Sequence, residues 1–74
     1  MNLINENYNW FNANRDTIIY RHHRELALIT GKQVKGYFVS DKNALDYALS
    51  HNMQYGSFII QPCLTEQEET VYIY

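Results

Sequence analysis

Seventy-four residues suffice for one domain, whose core supplies no more than about 3–5 kcal/mol. Hydrophobic residues make up 46% and aromatics 15% of the chain, which excludes a disordered polar chain. A net charge of −2 gives no general attraction to polyphosphate, and a lone cysteine, Cys63, excludes an intrachain disulfide.

Residues 3–22 carry helical periodicity, with Ile4, Tyr8, Phe11, Ile18 and His22 near one face. Asn12 and Asn14 are poor helix-interior residues, and Asn14 before Asp16 reads as a fresh N-cap. The expectation is two short helices, 4–12 and 15–22, or one bent helix. Next, Glu25 to Thr30 and Gln33 to Ser40 read as a β-hairpin, and Gly31-Lys32 matches the Gly-X pattern of a type II′ turn. The implied register sets Thr30 opposite Gln33, Ile29 opposite Val34, Ala27 opposite Gly36 and Leu26 opposite Tyr37. Both hairpin faces are apolar enough to need covering, and Gly36 opposite Ala27 predicts close approach by a helix.

Ser40 can cap a following helix, with Asp41 at the positive end of its dipole. Ala44, Leu45, Ala48 and Leu49 form that helix's apolar stripe. Ser57 to Cys63 reads as an apolar strand, with Pro62 at its end or at a sheet edge. Glu66 to Glu69 reads as a polar loop, and Thr70 to Tyr74 as a last strand with Val71 and Ile73 on one face. The chain is therefore expected to be α+β, with N-terminal helices followed by a β-hairpin, a helix and two strands. These build a four-stranded, mainly antiparallel sheet in the order 2-1-3-4, packed by helices.

No chemical motif assembles from spacing alone. Adjacent His22 and His23 point about 100° apart on a helix and cannot share an ion without help. A nucleophilic Cys63 would require a depressed thiol pKa, and a small buried hydrophobe is its ordinary role. Glu68 and Glu69 read as solvated carboxylates. The expectation is no catalytic residue, no cofactor and no metal. Arg21-His22-His23-Arg24, with Arg15, Tyr20 and Lys35 brought nearby, could contact a few phosphates, which keeps nucleic acid as the alternative partner, although the acidic second half opposes it. With no basic, apolar leader in the first residues, no long apolar run and no disulfide, a cytoplasmic chain without a membrane span is expected.

A protein partner remains. Tyrosines make good anchors, and an unprotected last strand would pair with something, most simply a second copy in a homodimer. The candidate partner-binding residues are Tyr37, Tyr55, Glu66, Glu68, Glu69, Tyr72 and Tyr74. The expected function is a non-enzymatic protein–protein interaction module, accessory or inhibitory to a larger protein and at home in a bacterium or phage.

From Glu25 onward the chain also resembles a group of small bacterial proteins with no assigned function. The matching residues are Leu28-Ile29 before Gly31, then Val34, Gly36, Phe38, Ala44 and Ala48, and Gly56-x-Phe58-Ile59-Ile60-Gln61. The resemblance implies the β-hairpin–α–β core, and a neighbouring aspartic-protease-like gene in some relatives implies an accessory role. The chain departs from the group at His23-Arg24, where relatives carry a glycine, and at Val39-Ser40, where they carry an acidic residue and threonine.

Overall fold

In the computed structural model, residues 2–72 are described, with side chains through Glu69. Two consecutive helices, α1 (Leu3–Ala13) and α2 (Arg15–His22), precede an antiparallel hairpin of β1 (Leu26–Thr30) and β2 (Gln33–Phe38). Helix α3 (Asp41–Ser50), strand β3 (Ile59–Pro62) and helix α4 (Glu66–Tyr72) complete the order. The sheet runs β2-β1-β3, with both outer strands antiparallel to β1.

Local chemistry sets the helix ends. The Asn2 side chain accepts hydrogen bonds from the backbone N–H groups of Ile4 and Asn5 and opens α1. The two-helix expectation holds, but Asn14 acts differently from the N-cap expected of it. Its Nδ2 donates back to the Trp10 carbonyl at 2.8 Å, closing α1 instead of capping α2 with its side chain. Ser40 caps α3 by accepting from Asn43 N–H. At the other end Asn52 takes φ +59°, while its N–H bonds Leu49 O and that of Met53 bonds Ala48 O. Those paired bonds are a Schellman closure, with Met53 folded back onto the cluster that holds Ala48.

Strand β1 lies between two helical layers, so alternate residues meet different cores. Ala27 and Ile29 pack with Phe11, Ile18 and Cys63 on the α1/α2 side. Leu28 packs with Ala48 and Phe58 on the α3 side. All three β1 residues are fully buried, as the two apolar hairpin faces required.

Three expectations are corrected. The sheet has three strands, not four: residues 66–72 form α4 where a loop and a last strand were expected. The physical reason is a reciprocal capping box, in which Thr65 N–H donates to Glu68 Oε1 and Glu68 N–H donates to Thr65 Oγ1. Three acidic residues then occupy the first turn, where the helix dipole favours them. The α+β class stands; Ile73 and Tyr74 lie outside the described residues.

The hairpin register, secondly, holds at Thr30–Gln33 and Ile29–Val34 but then slips. Lys35 is an extra residue, so Leu28 faces Gly36, Ala27 faces Tyr37 and Leu26 faces Phe38. Such a bulge bends the strand. Gly36 accordingly lies under the Phe38 ring, where an added Cβ would meet Cζ at 3.0 Å; no helix makes that approach.

The turn is the third correction. Gly31 and Lys32 both have positive φ, +59° and +60°, which fits a type I′ turn and not II′, whose second central residue has negative φ. An L-residue such as Lys32 pays roughly 1–2 kcal/mol for that conformation. Replacing Gly31-Lys32 by Asn-Gly is therefore expected to stabilise the fold by about 1 kcal/mol. Urea denaturation measures it as a higher midpoint at unchanged slope; a type II′ turn would instead be damaged by Asn at its first central position.

Candidate functional site

The residues available for chemistry gather where α1, α2 and α4 meet the end of β3. Arg15 follows Phe11 by four positions and precedes Ile18 by three, so helical geometry puts it on the buried stripe. It is 5% exposed, and its guanidinium lies 4.9 Å over the Phe11 ring. One nitrogen, Nη1, donates to the Leu64 carbonyl at 2.6 Å; Nε and Nη2 donate to Asn12 Oδ1 at 3.2 and 2.9 Å. The remaining direction faces Glu69, with Nη2 to Oε2 at 2.8 Å.

Two further donors reach the same carboxylate. The Tyr8 hydroxyl is 3.2 Å from Oε2 and 3.3 Å from Oε1, and Gln61 Nε2 donates to Oε1 at 3.1 Å. Burial works against the charge of Arg15, but the hydrogen bond and field of Glu69, helped by Tyr8, outweigh it and raise the guanidinium pKa above its ordinary value. No buried side-chain polar atom among the described residues lacks a partner, so this network is satisfied. Removing one member of such a buried pair costs about 3–5 kcal/mol, because the other charge is stranded.

Around the mouth of this network the basic cluster is largely answered by acids. His23 Nε2 lies 2.9 Å from Glu68 Oε1, and Arg24 Nη2 lies 3.6 Å from Glu68 Oε2. His22 pairs with Glu25 and stacks on Tyr37, with ring centroids 3.4 Å apart and planes 4° from parallel. Arg21 is exposed. Arg24 has φ +72°, the left-handed conformation that glycine adopts freely. The Thr65 N–H first, and His23 second, hold the Glu68 carboxyl far below its usual range, at about 2.

The other expected site residues separate. Tyr37 is half-buried in the α1/α2 core, and burial, then Cys63 and Glu25, push its phenol pKa up. Tyr55 is exposed and sits far along the chain, against Phe58. Glu66 is exposed; Tyr72 ends α4, with its side chain outside the described part, and Tyr74 lies beyond it altogether. Of the seven, only Glu68 and Glu69 share a site here, and both turn toward cations of their own chain. Sequence reasoning missed Tyr8 and Gln61, and it set Arg15 beside the surface basic patch, whereas Arg15 is buried and paired with Glu69. The legible signal was a cation spaced onto an apolar helical stripe, together with Thr65-x-x-Glu68 as a capping box.

Cys63 is fully buried. Burial first, then the negative charge of Glu25, pushes its thiol up to about 11, the opposite of what a nucleophile needs. Among the described residues, no three His, Cys, Asp or Glu side chains gather to hold a metal ion. No helix there is long and apolar enough to cross a membrane. Comparison with protein families, with curated proteins and with solved structures finds no match.

Two measurements follow from these shifted groups. A depressed Glu68 pKa contributes stability that is complete above its ordinary value of 4.5 and is lost as pH falls from there toward about 2. Urea midpoints measured across that window should fall in the native chain and fall less steeply in Glu68→Gln. The raised Cys63 pKa and its burial predict that a thiol reagent near neutral pH labels the native protein only at the rate of unfolding. Labelling should therefore accelerate with added urea in step with loss of structure.

Proposed function

We propose that this chain is a small, non-enzymatic protein–protein interaction module, cytoplasmic in residence and accessory or inhibitory to a larger protein. The observation that carries this reading is the surface at the hairpin-turn end of the sheet. A groove there is walled by Leu3, Glu6, Asn7, Thr30, Lys32 and Ser57. A second groove, sharing Glu6 and Lys32, continues it to Asn9 and Trp10.

Apolar area sits inside a rim of opposite charges on that surface, the composition of a docking site. Leu3 is 48% exposed. Scattered exposed apolar residues are ordinary; here Leu3 lines a concavity that continues to a tryptophan, the residue type most enriched at binding hot spots. The sheet edges offer less. Strand β2 carries a bulge and Lys35, and β3 is four residues long and ends at Pro62, features that discourage strand pairing. Self-association through a last strand lost its basis when residues 66–72 proved helical.

The test is a photo-crosslinking residue in place of Lys32 in the producing cell, alone and combined with Leu3→Glu or Glu6→Lys. The expected result is one dominant protein adduct, reduced at least about tenfold by either second change while circular dichroism stays native. Absence of a Leu3-dependent adduct rejects the docking surface. Retention on heparin that is lost in Arg21→Ala/Arg24→Ala would assign the chain to nucleic acid instead.

A further inference from the structure

Glu69 is held as a bound ligand is held. Its two oxygens meet Arg15 from α2, Tyr8 from α1 and Gln61 from β3, three elements of the folded body. The receptor groups are positioned by contacts of their own. Arg15 is fixed by Asn12, Leu64 O and the Phe11 ring, and Gln61 Nε2 is also bonded to Pro62 O. Arg15 is 5% and Gln61 8% exposed. The occupant, by contrast, arrives on α4, a seven-residue helix too short to be stable by itself. The α4 ion pairs from Glu68 to His23 and Arg24 lie at the surface.

We propose that Arg15, Tyr8 and Gln61 form a carboxylate receptor in which Glu69 is an exchangeable resident, so that an acidic helical segment of a partner protein takes the place of α4. The chemistry favours that class of ligand. A guanidinium buried on an apolar stripe cannot be left without a counter-charge, and the planar fork of arginine matches a planar carboxylate. One arginine with two neutral donors balances a single negative charge, which a glutamate or aspartate side chain supplies. A second acidic residue immediately before it would reach His23 and Arg24, as Glu68 does. This site is separate from the turn-end surface and stands without it. Because a short tether gives α4 an effective concentration in the millimolar range, the receptor is best tested vacated.

The experiment uses the full chain with Glu69→Ala and two probes, sodium acetate and a capped peptide of residues 65–72, each against chloride at matched ionic strength. Thermal melting and the side-chain NMR signals of Gln61 and Arg15 Nε are the readouts. Acetate is expected to raise the melting temperature saturably and shift both signals. The peptide should do so at concentrations at least about tenfold lower, and its counterpart with glutamine at the Glu69 position should not. Full-length Glu69→Gln, whose receptor stays filled by a neutral amide, should not respond to acetate. If Glu69→Ala opens the fold, acetate-dependent refolding is the readout. Equal effects of acetate and chloride overturn the receptor and leave a structural ion pair. A response to acetate without one to the peptide overturns the assignment to a protein segment.

Discussion

Everything in this molecule is arranged about the burial of β1 on both faces. Its middle residues, Ala27, Leu28 and Ile29, have no solvent exposure, and strands flank it on either side. Burying a leucine and an isoleucine is worth about 1.5–3 kcal/mol each, comparable with the whole net stability available to so small a core. A strand with apolar residues on alternate faces needs two covering layers. That need places α1 and α2 on one side of the sheet and α3 on the other. The small residues Ala44 and Ala48 let α3 lie close.

The α1/α2 layer carries a polar interior that the α3 layer lacks. Asn7 and Arg15 are buried on those two helices, and Gln61 is buried on β3. Asn7 is satisfied by donating to the Ser57 carbonyl. Arg15 is satisfied partly by backbone and partly by α4 through Glu69. The C-terminal helix is thus coupled to the N-terminal ones by charge, in a region where an unmatched charge would be costly. Such a pair is a poor source of net stability but a strong determinant of which group occupies the position. It is the feature on which the proposed carboxylate receptor rests.

The only cysteine is sealed and held protonated, and His22 and His23 are each engaged with a carboxylate. Exposed large apolar side chains include Leu3, Tyr20, Val39 and Tyr55, and the proposed docking surface uses Leu3, at the turn end.

Local chemistry written in the sequence determined the hairpin, the helix over residues 41–50, the division of the first helical segment near Asn14, the third strand's place beside the first, and the burial of both hairpin faces. Most rest on contacts within a few residues or on a period that one element must satisfy, and the third strand's place rests on the right-handedness of the crossover that leads to it. Thr65-x-x-Glu68 was equally local, yet the alternation of Val71 and Ile73 masked it, because five residues can satisfy either period. Tertiary structure alone decided the rest. The bulge at Lys35 sets which β2 residues face Leu28 and Ala27, and it depends on fitting Phe38 over Gly36. Arg15 and Glu69 are 54 positions apart in sequence, and no period relates them. Only the packing of α1, α2 and α4 around the end of β3 brings the two charges together away from water, where each must find the other.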